Sequence, residues 1–261
     1  MLSTALALVA SLLLFRLLRR TLPEGTALFA VLLFLVMPTS VVLQVAYAES
    51  MQLVLLFLTL LLVLDRRYLL TIPVVALMSF TRPTGIAVAL FLFVHLIARW
   101  LRRDREPFGW SQRLRLVAAG LASTAAGLAW IGVAAIATGR LTAYVDTESV
   151  WHHVYVGGIR LYPFLTWPLT FTIYFNHLVG RGLLASALGW AVVLAMIAVL
   201  VVLLAGRWRR RLALDLRLWI GSWGFYLLAV FFPQSSVFRL LMPMAPAVGI
   251  LALPRSRVYR V

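Results

Sequence analysis

Long apolar runs broken by short clusters of arginine dictate what this chain can fold into. Its 24 basic side chains are all arginine, and most stand together at Arg16/Arg19/Arg20, Arg66/Arg67, Arg99 to Arg105, Arg113/Arg115, Arg207 to Arg217 and Arg255 to Arg260. A helix crosses a bilayer with roughly 20 mostly apolar residues. Short loops that keep arginine mark the cytoplasmic side, and translocated loops carry few positive charges. On that pattern 19 arginines are cytoplasmic and five (Arg82, Arg140, Arg160, Arg181 and Arg239) are external. The formal charge of +16 then describes topology and contact with anionic lipid headgroups, not an affinity for nucleic acid.

Composition points the same way. At 63% hydrophobic and a mean hydropathy of +0.99, the chain has too little polar surface to cover a water-soluble globule. Without cysteine it has no disulfide, thiolate metal site or cysteine nucleophile. The fold expected is all-α, a polytopic transmembrane helical bundle forming a single domain over 1–261. The apolar runs predict about nine membrane segments, near 1–16, 26–46, 50–64, 68–80, 84–98, 115–138, 183–205, 218–232 and 240–253. The stretch 139–182 carries Asp146, Glu148, His152, His153, Arg160 and many aromatics, and predicts one large external loop with partly embedded turns or a re-entrant piece. A secretory signal places its positive charges before the apolar region, whereas Arg16, Arg19 and Arg20 follow it, so the first segment predicts an internal helix entering from outside.

Few residues can carry chemistry. Glu49 stands in PTSVVLQVAYAES, at the junction of two apolar segments, where a carboxylate is costly unless it meets water, a partner or a substrate. It either caps and packs, or contacts substrate in an external cleft. Arg82 stands in SFTRPTG, where Pro83 and Gly85 break the helix and Thr81 or Thr84 is expected to cap the next one. Its planar fork suits a phosphate or carboxylate, the alternative being an arginine snorkelling to a lipid headgroup. Arg239 repeats this logic in PQSSVFRLLMPMAP, beside Gln234, Ser235 and Ser236. Trp151, His152, His153 and Arg160 form the polar centre of the long loop. Adjacent histidines without HxH or HxxxH spacing give little support for a metal site. His95 and His177 read as structural. No Walker, GxGxxG, HExxH or GxSxG pattern occurs. The acids are expected in loops or at helix ends, so the buried carboxylate and histidine relays of an ion-coupled transporter are not anticipated.

Two segments carry a family resemblance. AYAESMQLVLLFLTLLLVLDRR followed by LMSFTRPTGIAVAL resembles the core of the GPI mannosyltransferases of the PIG-V kind, with a Y-x-E-S segment and an R-x-x-G turn about thirty residues later. PQSSVFRLLMPMAP resembles the S-x-x-R-x-L-x-P ending of polytopic glycosyltransferases of the C-type fold. The similarity covers roughly 35–100 and 140–253. It implies transfer of a sugar, usually mannose, from a polyprenyl-phosphate donor to a lipid or glycan acceptor on the external face, with no cofactor. By motif, Glu49 takes the acidic position and a catalytic role, and Arg82 and Arg239 take the two arginine positions. The donor-contacting set is expected to include Trp151, His152 and Arg160. The family's principal acidic residue lies in a first external loop upstream of these motifs. This chain is therefore expected to be an N-terminally incomplete core of such an enzyme, multi-pass in a bacterial cell membrane. The alternatives are a non-catalytic lipid-binding or scaffold protein and a lipid-linked-sugar transporter. A transporter would line a path to the cytoplasmic side with polar residues.

Overall fold

The computed structural model describes residues 1–156, 162–206, 212–231, 233 and 237–253, with the side chains of 151–156 and 237 left aside. All regular structure among them is helical. The first five helices are α1 (Leu2–Arg19), α2 (Glu24–Val36), α3 (Glu49–Leu64), α4 (Tyr68–Thr81) and α5 (Gly85–Leu101). Then follow α6 (Trp110–Thr138), α7 (Ala143–Val156), α8 (Thr166–Val179), α9 (Leu183–Ala205) and α10 (Leu214–Val230), with the short α11 (Val237–Leu240) and α12 (Val248–Leu251) closing the described chain. Two 3₁₀ segments, Pro38–Gln44 and Met242–Ala247, join α2 to α3 and α11 to α12.

Three of these helices, α1, α6 and α9, are long and apolar enough to cross a membrane. Helix α2 and the following 3₁₀ segment qualify together, but they are bent by 78°. The bend has a sequence cause. Pro38 drives Met37 into the extended region (φ −60°, ψ 139°) and ends α2 where a single apolar span near 26–46 is expected. Helices α3, α4 and α5 are apolar but shorter, at 16, 14 and 17 residues. Large aliphatic side chains cover the outer surface: Ile136, Leu141, Leu183 and Val202 are each more than 60% exposed, as a lipid-facing wall requires. The protein is therefore read as an integral membrane protein.

Two further expectations are corrected. The stretch 139–182, expected as one large external loop with embedded turns or a re-entrant piece, holds regular helices among its described residues. It contains helices α7 and α8, and α8 packs lengthwise on α9. Gly189 permits this, because a Cβ there would fall 2.6 Å from Thr172 Oγ1 and 2.8 Å from Pro168 O. The segment near 240–253 is not one helix either. Pro243 and Pro246 remove backbone donors and split it into 3₁₀ and α pieces.

Ion pairs and hydrogen bonds sort to the two ends of the bundle. At one end stand Arg20–Asp65, Arg66–Glu106, Arg99–Glu106 and His95–Asp215. At the other stand Glu49, Arg82, Arg239 and the Tyr226–Pro83 hydrogen bond. Between them α3 buries Leu53, Leu56, Phe57 and Leu60, so an apolar layer separates the two.

Candidate functional site

The site begins with the turn between α4 and α5. Pro83 forces Arg82 into an extended conformation (φ −153°, ψ 142°), which ends α4 and throws the guanidinium sideways out of the helix axis. The expected threonine cap is absent. Thr81 Oγ1 donates to Met78 O at 2.6 Å and Thr84 Oγ1 to Arg82 O at 3.2 Å, and α5 has no side-chain cap. Gly85 acts instead as a packing residue. A Cβ on it would lie 2.5 Å from Ser123 O and 2.6 Å from Gly127 N, so only glycine lets α5 start against α6. Tyr226 of α10 donates to Pro83 O at 3.1 Å and fixes the turn from the other side.

Glu49 is the first residue of α3, where the helix N-terminus favours a negative charge. Ser50 Oγ donates to Leu43 O at 2.9 Å and ties this helix start to the preceding 3₁₀ segment. Arg239 comes from α11, held by two tryptophans of α10: Trp223 Nε1 donates to Leu240 O and Trp219 Nε1 to Pro243 O, both at 2.8 Å. The Tyr47 ring lies beneath Arg239, 5.3 Å from the guanidinium carbon.

These three ionic residues meet on one atom. Glu49 is 2% exposed, and its Oε1 accepts a hydrogen bond from Arg82 Nη2. Arg239 Nε lies 2.9 Å from the same Oε1, but its N–H is not aligned for a hydrogen bond. The other oxygen, Oε2, and the Nε donors of Arg82 and Arg239 are buried without a hydrogen bond, although Arg239 Nε stays in ionic contact with Oε1. Buried polar atoms are nearly always hydrogen-bonded, and their exceptions concentrate where a ligand or water completes the set. Desolvation pushes the Arg82 guanidinium below its ordinary pKa, with Glu49 opposing the shift and Arg239 adding to it. Two guanidiniums against one carboxylate leave a net charge of +1, and each arginine keeps about a quarter of its side chain exposed. Such a site attracts an anion with several oxygens.

Sequence reasoning named Glu49, Arg82 and Arg239, and the structure brings them together. Trp151 and His152 lie in α7 as backbone only, and Arg160, Gln234, Ser235 and Ser236 fall outside the described residues. Reasoning from sequence missed Tyr226, whose hydroxyl locks the Arg82 turn, and Glu148. Glu148 and Tyr144 of α7 interact electrostatically with Tyr226, which places a second carboxylate beside the same corner. Burial pushes the Glu148 carboxyl above its ordinary pKa even though part of its side chain is exposed. The signal was available, since Tyr144 and Glu148 are spaced i, i+4, but it pointed to no partner across the sequence.

A buried relay, not anticipated from sequence, exists at the opposite end. His95 is fully buried; Tyr68 Oη lies 3.1 Å from its Nε2 and Asp215 Oδ1 2.9 Å from its Nδ1. It joins α4, α5 and α10, and its structural role holds at least as a tie between them. Asp215 lies in the first turn of α10, at a helix end as expected of the acids, and from there it reaches His95. Compared with known proteins, the chain matches no family model, no curated protein and no solved structure.

Proposed function

We propose that this chain is the membrane core of a glycosyltransferase that takes a polyprenyl-phosphate sugar, mannose by the resemblance of its motifs, and presents it to an acceptor on the external face. The observation that carries this reading is the convergence of Arg82 and Arg239 on one buried carboxylate with donors left over. A departing lipid phosphate needs cationic, preorganised donors, and a membrane protein can place them only at a hydrated end of its bundle. Glu49 holds both arginines in place. Its Oε1 is already shared between two guanidiniums, so its role is to position them. We assign the general base for the acceptor hydroxyl to Glu148, the carboxylate that interacts with Tyr226 beside the Arg82 turn and whose pKa burial raises above the ordinary value. The non-catalytic lipid-binding reading has one observation in its favour, the same saturation of Glu49 Oε1 by two cations.

The test is binding of polyprenyl phosphate against the polyprenol of equal length, with the protein in nanodiscs. The phosphate is expected to bind tighter. Arg82→Lys and Arg239→Lys should each weaken it about tenfold or more, the value of a charge-assisted hydrogen bond lost with the planar fork. Equal binding of phosphate and alcohol would remove the phosphate site. Phosphate binding without any transfer of labelled mannose to membrane acceptors would favour the lipid-binding reading.

A further inference from the structure

A second anion site is built at the other end of α3, and nothing in the glycosyltransfer reading uses it. Leu13, Arg16 and Arg20 line one stripe of α1 at helical spacing, with Arg19 beside them. Leu58, Leu61, Leu62 and Asp65 line the facing stripe of α3. Between them runs an open groove of about 390 Å³. Its floor toward the middle of the bundle is leucine, and its rim is arginine. The order along the groove matters: apolar walls continue directly into cations, which is the profile of a molecule with a hydrocarbon tail and an anionic head. A groove for a soluble phosphate would not need the leucine stripe.

The rim charges are not all neutralised. Asp65 holds Arg20 at 2.9 Å, and Arg19 reaches Glu24 at 3.4 Å. Arg16 has no carboxylate partner among the described residues. With Asp65 against Arg20 and Glu24 against Arg19, the rim keeps a net charge of +1, on Arg16. Asp65 is the start of the tight α3–α4 turn, in which Arg66 is left-handed (φ 60°) and Arg67 N donates to Leu62 O at 2.8 Å. The carboxylate therefore sits in fixed backbone at the mouth of the groove, where it competes with any entering anion for Arg20.

We propose that this groove binds one anionic phospholipid, its phosphate between Arg16 and Arg20 and an acyl chain along Leu13, Leu58, Leu61 and Leu62. Helix α3 spans about 24 Å from Glu49 to Leu64 at 1.5 Å per residue, so this lipid cannot be the molecule held at Glu49. The prediction is two-sided: removing the arginines weakens the lipid, and neutralising the aspartate by Asp65→Asn strengthens it.

Native mass spectrometry of the detergent-solubilised full chain, titrated with phosphatidylglycerol or phosphatidylcholine of equal chain length, reads this directly. Phosphatidylglycerol is expected to bind more tightly. Arg16→Gln with Arg20→Gln should weaken it about 25-fold, two cations at about fivefold each, and Asp65→Asn should tighten it. Arg102→Gln with Arg105→Gln removes the same charge from an exposed turn and should change it less than about twofold. Equal binding of the two lipids would overturn the proposal. So would an equal loss in the Arg102/Arg105 variant, which would mean a diffuse charge effect, or full competition by glycerol phosphate, which would mean a soluble anion site. Circular dichroism and gel filtration of each variant separate loss of binding from loss of fold.

Discussion

Replacing Glu49 by glutamine keeps the shape of the side chain and removes the only anion between two guanidiniums. In the native site one negative charge, 2% exposed, holds Arg82 and Arg239. Breaking a buried ion pair by removing one partner costs about 3–5 kcal/mol. Both arginines keep about a quarter of their side-chain surface open, so the lower end, about 3 kcal/mol, is the expected loss. The decisive quantity is coupling. In the E49Q background Arg239 has lost its partner and repels Arg82, so R239Q should cost less there than in the native chain, or even recover stability. A coupling of about 1–3 kcal/mol is expected for residues in one network. Unfolding of single and double variants in mixed micelles, followed by tryptophan fluorescence, measures it. Binding adds a second readout of opposite sign: removing the carboxylate raises the positive potential, so E49Q should bind polyprenyl phosphate at least as well as the native chain while losing transfer. Strictly additive stability effects of E49Q and R239Q would refute the shared-oxygen reasoning.

Transfer should depend on pH through Glu148. Because burial raises its pKa, the ionised, proton-accepting form is gained at higher pH than for an ordinary glutamate. Activity should therefore climb with pH on that displaced limb, and E148Q should abolish the limb together with most of the rate, whereas a merely structural Glu148 would leave the profile's shape unchanged. Gly85→Ala should destabilise the chain by about 1–3 kcal/mol, since its Cβ would meet backbone atoms of α6 2.5–2.6 Å away, and it should weaken phosphate binding by shifting the Arg82 turn. A melting temperature in detergent equal to that of the native chain would show that α5 and α6 are not packed there as described.

How much was legible in the sequence follows from which signals are local. Arginine clusters and apolar runs are local, and they marked the helices around 50–101 to within a few residues of α3, α4 and α5. Pro83 is local too, and it correctly broke the chain at Arg82. What failed was anything decided by a distant partner. The threonines of the Arg82 turn bond backward into their own backbone, and α5 starts uncapped against α6 at Gly85. His95 gave no hint of Tyr68 or Asp215, which lie 27 and 120 residues away in the chain. The stretch 139–182 was expected to be loop because polar and aromatic residues are dense there. Yet Trp167 Nε1 donates to Leu227 O at 2.9 Å and Phe164 N to Leu228 O at 3.0 Å, so its polar groups are satisfied by docking on α10. Dense aromatics with hydrogen-bonding edges fit a packed interface as well as a bilayer interface, and only the partner decides between them.

The arrangement of polar groups also bears on whether such a chain could move its substrate across the membrane. A transport path needs polar atoms at successive depths. Along α3 the polar residues Glu49, Ser50 and Gln52 occupy the first turn, and Asp65 follows the last. Thr59, between them, donates its hydroxyl back to Leu55 O at 2.8 Å and presents nothing to a path. The Tyr68–His95–Asp215 relay adds polar depth only at the arginine-rich end, where Phe91 and Trp219 pack beside His95 and close it toward the middle. Along α3 the two polar ends are therefore joined by leucine, valine and phenylalanine, with Thr59 satisfied on its own backbone. That stretch of α3 offers a polar solute no partner, so a route connecting the two ends would have to be lined by the other helices.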